Sequence, residues 1–80
     1  MERTDILNQV QDIFRSILDN EDIVLSDSST AEDIEEWDSL SHIQLIKAIE
    51  KTFSIRFSSR EILSWNKVGE MIDCIGEKLN

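Results

Sequence analysis

Apolar residues recur in this chain at steps of three and four in three separate stretches, and that period most narrows what it can fold into. Ile6, Val10, Ile13, Phe14, Ile17 and Leu18 make the first stripe. Leu40, Ile43, Ile46, Ile49 and Phe53, widened by Leu45 and Ala48, make the second, and Val68, Met71, Ile72, Ile75 and Leu79 the last. Residues so spaced lie along one face of an α-helix, and that face must be covered. There is no proline to break any stripe, no internal repeat and no low-complexity tract. Eighty residues allow one domain, spanning 1–80, with a modest core and a small stability margin.

The spacing predicts a first helix over about Asp5 to Leu18, capped by Thr4 or Asp5, with first-turn acids at the positive end of its dipole. Between 19 and 38 the rhythm stops. Asp19-Asn20-Glu21-Asp22 and Ser26-Asp27-Ser28-Ser29 are turn chemistry, and Thr30-Ala31-Glu32-Asp33 suits one short capped turn. So long a connection is usually functional or folded over the core, and Ile23, Leu25, Ile34 and Trp37 are expected to pin it. Asp38 is a good N-cap for the second helix. Ser54-Ile55-Arg56-Phe57 reads as a turn with two apolar anchors. Ser58 with Glu61 offers a capping box for a short helix to about Ser64, and Asn66 is placed to cap the last helix. The expected fold is all-α: a small four-helix bundle with three longer helices, one short helix and a long first loop.

Charge narrows the partners. The net charge is −9 and the pI about 4.3, which disfavours nucleic acid and anionic lipid, both read by clustered Lys and Arg. With 40% hydrophobic residues at helical spacing, the acidity belongs to a folded domain rather than a disordered one. Its distribution is uneven. Residues 1–38 hold twelve acids and two bases, residues 39–60 one acid (Glu50) and four bases (Lys47, Lys51, Arg56, Arg60). Residues 61–80 hold four acids and two bases. The start, Met1-Glu2-Arg3-Thr4-Asp5, lacks a secretory pattern, and no apolar run is long enough to span a bilayer. With a single cysteine, Cys74, a reducing cytoplasm is the expected setting.

The segment Glu36-Trp37-Asp38-Ser39-Leu40-Ser41-His42-Ile43 puts a serine at the first helical position, just after the capping aspartate. A side chain there projects into solvent near unpaired backbone N–H groups that favour phosphate. Sequence places no histidine or other base to activate the hydroxyl, so Ser39 is a poor nucleophile on its own and a reasonable substrate for another enzyme.

On these residues the chain resembles the acyl carrier protein family, which carries Asp-Ser-Leu at the start of its second helix. Here the match is Asp38-Ser39-Leu40, continued by Ile43, Leu45, Ile46, Ala48, Ile49, Glu50 and Phe53 in the family's register. The resemblance extends to the long first loop, the short third helix and the acidic composition. It implies that a phosphopantetheinyl transferase, using coenzyme A and magnesium, attaches 4'-phosphopantetheine to Ser39, with Asp38 and Leu40 beside it. The arm's thiol would then hold acyl groups as thioesters for acyl-loading and acyl-transfer or condensing enzymes, with the carrier itself a monomer. A tether of this kind raises the effective concentration of cargo at each docked enzyme. The resemblance also implies an acyl pocket between the helices, lined by Leu45, Ile49, Ile55 and Ile72, although core packing accounts for the same residues.

Two features depart from the family's pattern. Where many members have glycine shortly before Asp-Ser-Leu, this chain has Glu36-Trp37, which is more similar to stand-alone carriers of specialised pathways. The usual second helix displays acids, whereas the positions expected to face partners here are Ser41, His42, Gln44, Lys47 and Lys51. Electrostatic complementarity governs partner choice, so the expectation is a dedicated pathway rather than bulk fatty acid synthesis.

Plainer readings stand beside these. Ser39 is also an ordinary exposed serine at a helix start, His42 a polar residue flanking it, and Trp37 a packing anchor. Trp65 is expected to be partly exposed. Cys74 reads as an inert, half-buried thiol. The acids of 19–27 lack the glycine and terminal glutamate of an EF-hand, and one His with one Asp is no complete metal site. Without a base–nucleophile pair, a glycine-rich phosphate loop or a full metal set, no catalytic residue is assigned and an independent enzyme is disfavoured. A peptidyl or aminoacyl carrier, and an unmodified helical adaptor, remain as alternatives. The Asp before Ser39 leans away from the peptidyl carriers, which more often have His-Ser.

Overall fold

In a computed structural model, which describes residues 2–79, four helices follow one another: α1 Arg3–Ile17, α2 Ser39–Phe53, α3 Ser59–Ser64 and α4 Val68–Leu79. The terminal residues Met1 and Asn80 lie outside the described residues. Among the described residues there is no strand, and no helix is long and apolar enough to cross a membrane.

α1 begins two residues earlier than its periodicity predicts. Its N-cap is Glu2, with no side-chain cap bond, in place of Thr4 or Asp5. The early start is fixed by tertiary contacts. The Arg3 guanidinium pairs with Asp73 of α4, bonds Asp27 at 3.1 Å and donates to the Gly69 carbonyl at 3.1 Å. These acids hold the Arg3 pKa above its usual value, chiefly through the bond to Asp27.

Ile6, Val10 and Phe14 of α1 meet Leu45, Ile49 and Phe53 of α2 and Val68, Met71, Ile72 and Ile75 of α4 in one core. On α2 the predicted stripe is only half inward. Ile46, Ile49 and Phe53 are buried, but Leu40 is 69% exposed and Ile43 54% exposed. With 3.6 residues per turn, Leu45, Ile46, Ile49 and Phe53 form one face, and Leu40, Ile43 and Lys47 lie on another. Steps of three and four run along both, and only the position of α1 and α4 decides which is covered.

The first connection has no helix and is nonetheless fixed. Ile23, Leu25 and Ile34 are buried as anticipated, and Trp37 packs against the core. Gln11 accepts from the Leu25 N–H at 2.9 Å, and Arg15 Nε donates to the Ile23 carbonyl at 2.8 Å. The connection also caps α4. Val68 N–H donates to the Ser29 carbonyl and Gly69 N–H to the Asp27 carbonyl, both at 2.9 Å. The Asn66 side chain predicted for that role is not used. Instead the Asn66 backbone N–H donates to Glu70 at 3.0 Å, and α4 opens at Val68. A Cβ on Gly69 would lie 2.9 Å from the Asp27 carbonyl oxygen, so the loop closes only because that position is glycine.

After α2, Ser54 terminates the helix in the left-handed region with φ 57°. Glu50 accepts the Phe57 N–H at 2.8 Å, and Phe57 meets Trp65 edge to face with ring centroids 4.8 Å apart. α3 carries the predicted Ser58–Glu61 capping box and buries no residue. Glu61 also accepts from Lys78 at 3.0 Å and from the Cys74 thiol at 3.4 Å. The Ser58 N–H bond, followed by the Lys78 contact, pushes the Glu61 carboxyl down to about 2. Burial, then the Glu61 carboxylate, pushes the half-buried Cys74 thiol up to about 11, so it holds its proton.

Candidate functional site

Asp38 and Ser41 build the entry to α2 reciprocally. The Asp38 carboxylate accepts the Ser41 N–H at 2.9 Å, and the Asp38 N–H donates to Ser41 Oγ at 2.8 Å. The Ser41 hydroxyl in turn donates to the Glu36 carbonyl at 3.1 Å. The Ser41 amide, then its hydroxyl, holds the Asp38 pKa below the usual carboxylate value. Ser41 is therefore half-buried and committed to the cap, not turned outward as its sequence position suggested. Asn20 bonds Glu36 at 2.7 Å, so the first connection steadies the same entry.

Ser39, the first residue of α2, is exposed, and none of the described residues bonds its hydroxyl. It borders a cleft of about 450 Å³. Ala31, Trp37, Asp38, Ser39 and His42 line one side of that cleft, and Trp65, Asn66, Lys67 and Met71 the other. The Trp37 ring stands edge-on to Phe14, centroids 4.9 Å apart, and so ties this wall to the core. It also lies against the His42 ring at 5.8 Å, and its Nε1–H donates to His42 Nδ1 at 3.0 Å. Burial lowers the His42 pKa, which favours the neutral ring that this bond requires.

The other sequence-named residues divide. Leu40, Gln44, Lys47 and Lys51 are exposed, joined by Ile43. His42 is half-buried and engaged by Trp37. Leu45, Ile49 and Ile72 are at most 1% exposed within the close-packed core, with Ile55 packed on its edge. The open space next to Ser39 is lined by none of these four. Sequence reasoning did not pick out Trp65, Asn66, Lys67 and Met71 as one wall. The signal available was local: an indole and two polar residues immediately before the last stripe.

Residues 8–75 match the family described as the phosphopantetheine attachment site. The fold matches the solution NMR structure of holo acyl carrier protein from Geobacter metallireducens, with a TM-score of 0.88 and 38% identity. That match covers 92% of this chain and 85% of the other. No curated protein matches the sequence. The chain belongs to the acyl carrier protein family. It is a carrier that works through a covalently attached 4'-phosphopantetheine arm, and a substrate of other enzymes rather than a catalyst. Proteins of this kind generally interact with phosphopantetheinyl transferases and acyl-handling enzymes.

The residues around the cleft fit such a group. An unbonded hydroxyl opens onto apolar and aromatic surface from Trp37, Trp65 and Met71, with the Lys67 cation on the same rim. When attached, the arm supplies a thiol that holds cargo as a thioester. What a carrier protein contributes is the handle to which the arm is joined, while the chemistry is the arm's and the partner enzymes'.

Proposed function

We propose that Ser39 bears the arm, and that residues 1–80 form one carrier domain handling acyl groups for a dedicated biosynthetic pathway. The observation that carries this reading is the exposed, unbonded Ser39 hydroxyl, set on the first residue of α2 by the Asp38–Ser41 cap at the edge of the cleft. Asp38 serves as cap and as a contact for the transferase and its metal. The Ser39 hydroxyl attacks the phosphate that bears the pantetheine in coenzyme A, the pyrophosphate bond breaks, adenosine 3',5'-bisphosphate leaves and the hydroxyl proton passes to the transferase or solvent.

The specialised pathway rests on the exposed side of α2. Leu40, Ile43, Gln44, Lys47 and Lys51 fall on one face, with Arg56 exposed beyond its end. An apolar patch followed by cations suits a partner that presents apolar side chains beside carboxylates. Basic docking surfaces of the kind that acidic carriers meet would be repelled there.

Intact mass tests the attachment. After incubation with coenzyme A, magnesium and a broad-specificity phosphopantetheinyl transferase, the wild type should gain one phosphopantetheine and Ser39→Ala none. No gain by a folded wild-type protein with several transferases would favour an unmodified adaptor. For the docking face, Gln44→Glu with Lys47→Glu should improve loading by fatty acid synthesis enzymes, and unchanged loading would remove the argument from charge.

A further inference from the structure

The chain has one histidine, and the fold spends one of its two ring nitrogens on a tryptophan. Trp37 Nε1 is a donor only, so His42 Nδ1, 3.0 Å away, must be the acceptor. A neutral imidazole that accepts at Nδ1 carries its proton on Nε2. The near-parallel rings, 27° apart, hold the imidazole in place, and Trp37 is itself braced by Phe14, which is wholly buried. No described residue is bonded to Nε2, although the ring is half-buried and lines the cleft next to Ser39. No buried side-chain polar atom among the described residues lacks a partner, so Nε2–H is open to solvent and available to a group lying in the cleft.

Position supplies the rest. Ser39 and His42 are three apart on α2, which makes their side chains neighbours on one helix surface. Anything joined to the Ser39 hydroxyl and lying in the cleft passes the imidazole. Asp38 and Lys67 are the charged groups lining the same cleft. Asp38 can only accept and the Trp37 Nε1–H is already used, which leaves His42 Nε2–H as the side-chain donor beside Ser39, next to the backbone N–H groups of the helix start.

We propose that His42, oriented by Trp37, is a positioning residue for the arm: its Nε2–H donates to an acceptor oxygen of the phosphopantetheine and so lays the arm along the Trp37–Trp65 cleft. The acceptor is either the phosphodiester or an amide carbonyl, which share the required chemistry. This rests on attachment at Ser39, and the test separates the two claims. The full chain is converted to its phosphopantetheine form and intact mass is recorded for wild type, Ser39→Ala and His42→Phe. His42→Phe keeps an aromatic ring against Trp37 and removes both nitrogens. Gain of the arm by wild type and His42→Phe, but not by Ser39→Ala, establishes the attachment independently of what His42 does.

NMR then reads the arm directly. In the wild type, the His42 ring should show the Nε2-protonated tautomer before modification, and its Nε2 and Hε1 signals should shift on modification. The arm's amide protons should be displaced from their positions in free pantetheine, and His42→Phe should return them to those positions. A ³¹P shift change in the modified variant identifies the phosphodiester as acceptor, and an amide change alone identifies a carbonyl. Arm signals in the modified wild type equal to free pantetheine, with an unmoved His42 ring, would overturn the proposal. If His42→Phe does not fold, the wild-type comparison before and after modification decides alone.

Discussion

The first connection and α3 invert the usual relation between regularity and anchorage. The connection has no helix, yet it buries Ile23, Leu25 and Ile34, and two of its carbonyls accept the first N–H groups of α4. α3 is regular and well capped, yet it buries nothing, and Leu63 is 83% exposed. Backbone hydrogen bonds within α3 make it a helix. They do not attach it, because attachment depends on apolar area removed from water. The cleft beside Ser39 draws on both regions. Its Trp37 is braced on Phe14, while Trp65, just past α3, meets Phe57 edge to face, and both of these rings pack against the core.

The largest expected effect breaks the comparison at its strong side. Leu25→Ala should cost about 2–5 kcal/mol of unfolding free energy, because a buried side chain leaves a cavity. Leu63→Ala should change it by less than about 0.5 kcal/mol. Urea denaturation of both variants checks the pair, and similar losses would dissolve the distinction.

The two glycines of α4 sharpen it next. Gly69→Ala puts a Cβ against the Asp27 carbonyl and should destabilise by about 1–3 kcal/mol, as overpacking does. At Gly76 a Cβ would meet only Ile6 Cδ1, at an ordinary 3.8 Å. Gly76→Ala should therefore stabilise by about 0.5–1 kcal/mol through helix propensity. Thermal melting of the two variants should move in opposite directions.

Ser58→Ala probes the weak side. Loss of the cap should cost about 1 kcal/mol locally. It should appear as faster hydrogen exchange at the Glu61 and Ile62 amides, with the global urea midpoint almost unmoved. Exchange at Leu25, Val68 and Gly69 should stay slow, since those amides are held by the connection and its cap on α4. A uniform acceleration would mean that α3 unfolds only with the whole.

The smallest effect is titration of the braced wall. Burial lowers the folded His42 pKa below its unfolded value of 6.5, so the unfolded chain binds the extra proton more readily. His42's contribution is full above pH 6.5 and is lost as pH falls through its folded value. Glu61, pushed down to about 2 from 4.5, loses its contribution only as pH falls through that lower range. Stability should then decline modestly between pH 7.5 and 5 in the wild type and less in His42→Phe, measured by urea titration at both values.

Much of this was legible in the sequence because it is governed by neighbours three and four residues apart. The Asp38 cap, the Ser58–Glu61 box, the exposed Ser39 and the helix count all follow from such local chemistry. Ile23, Leu25 and Ile34 were also readable as anchors, since isolated apolar residues within turn chemistry have few other uses. Tertiary structure alone decided the rest. Leu40 and Ile43 fit an apolar stripe as well as Ile46 and Ile49 do, and only the placement of α1 and α4 leaves them in solvent. The cap of α4 comes from Ser29 and Asp27, and the cleft brings Trp65 and Lys67 to Trp37 and His42. Helical period and capping are short-range and repeat along the chain. Which face is covered, and which distant carbonyl meets a bare N–H, depends on chain closure between residues tens of positions apart, where no local rule reaches.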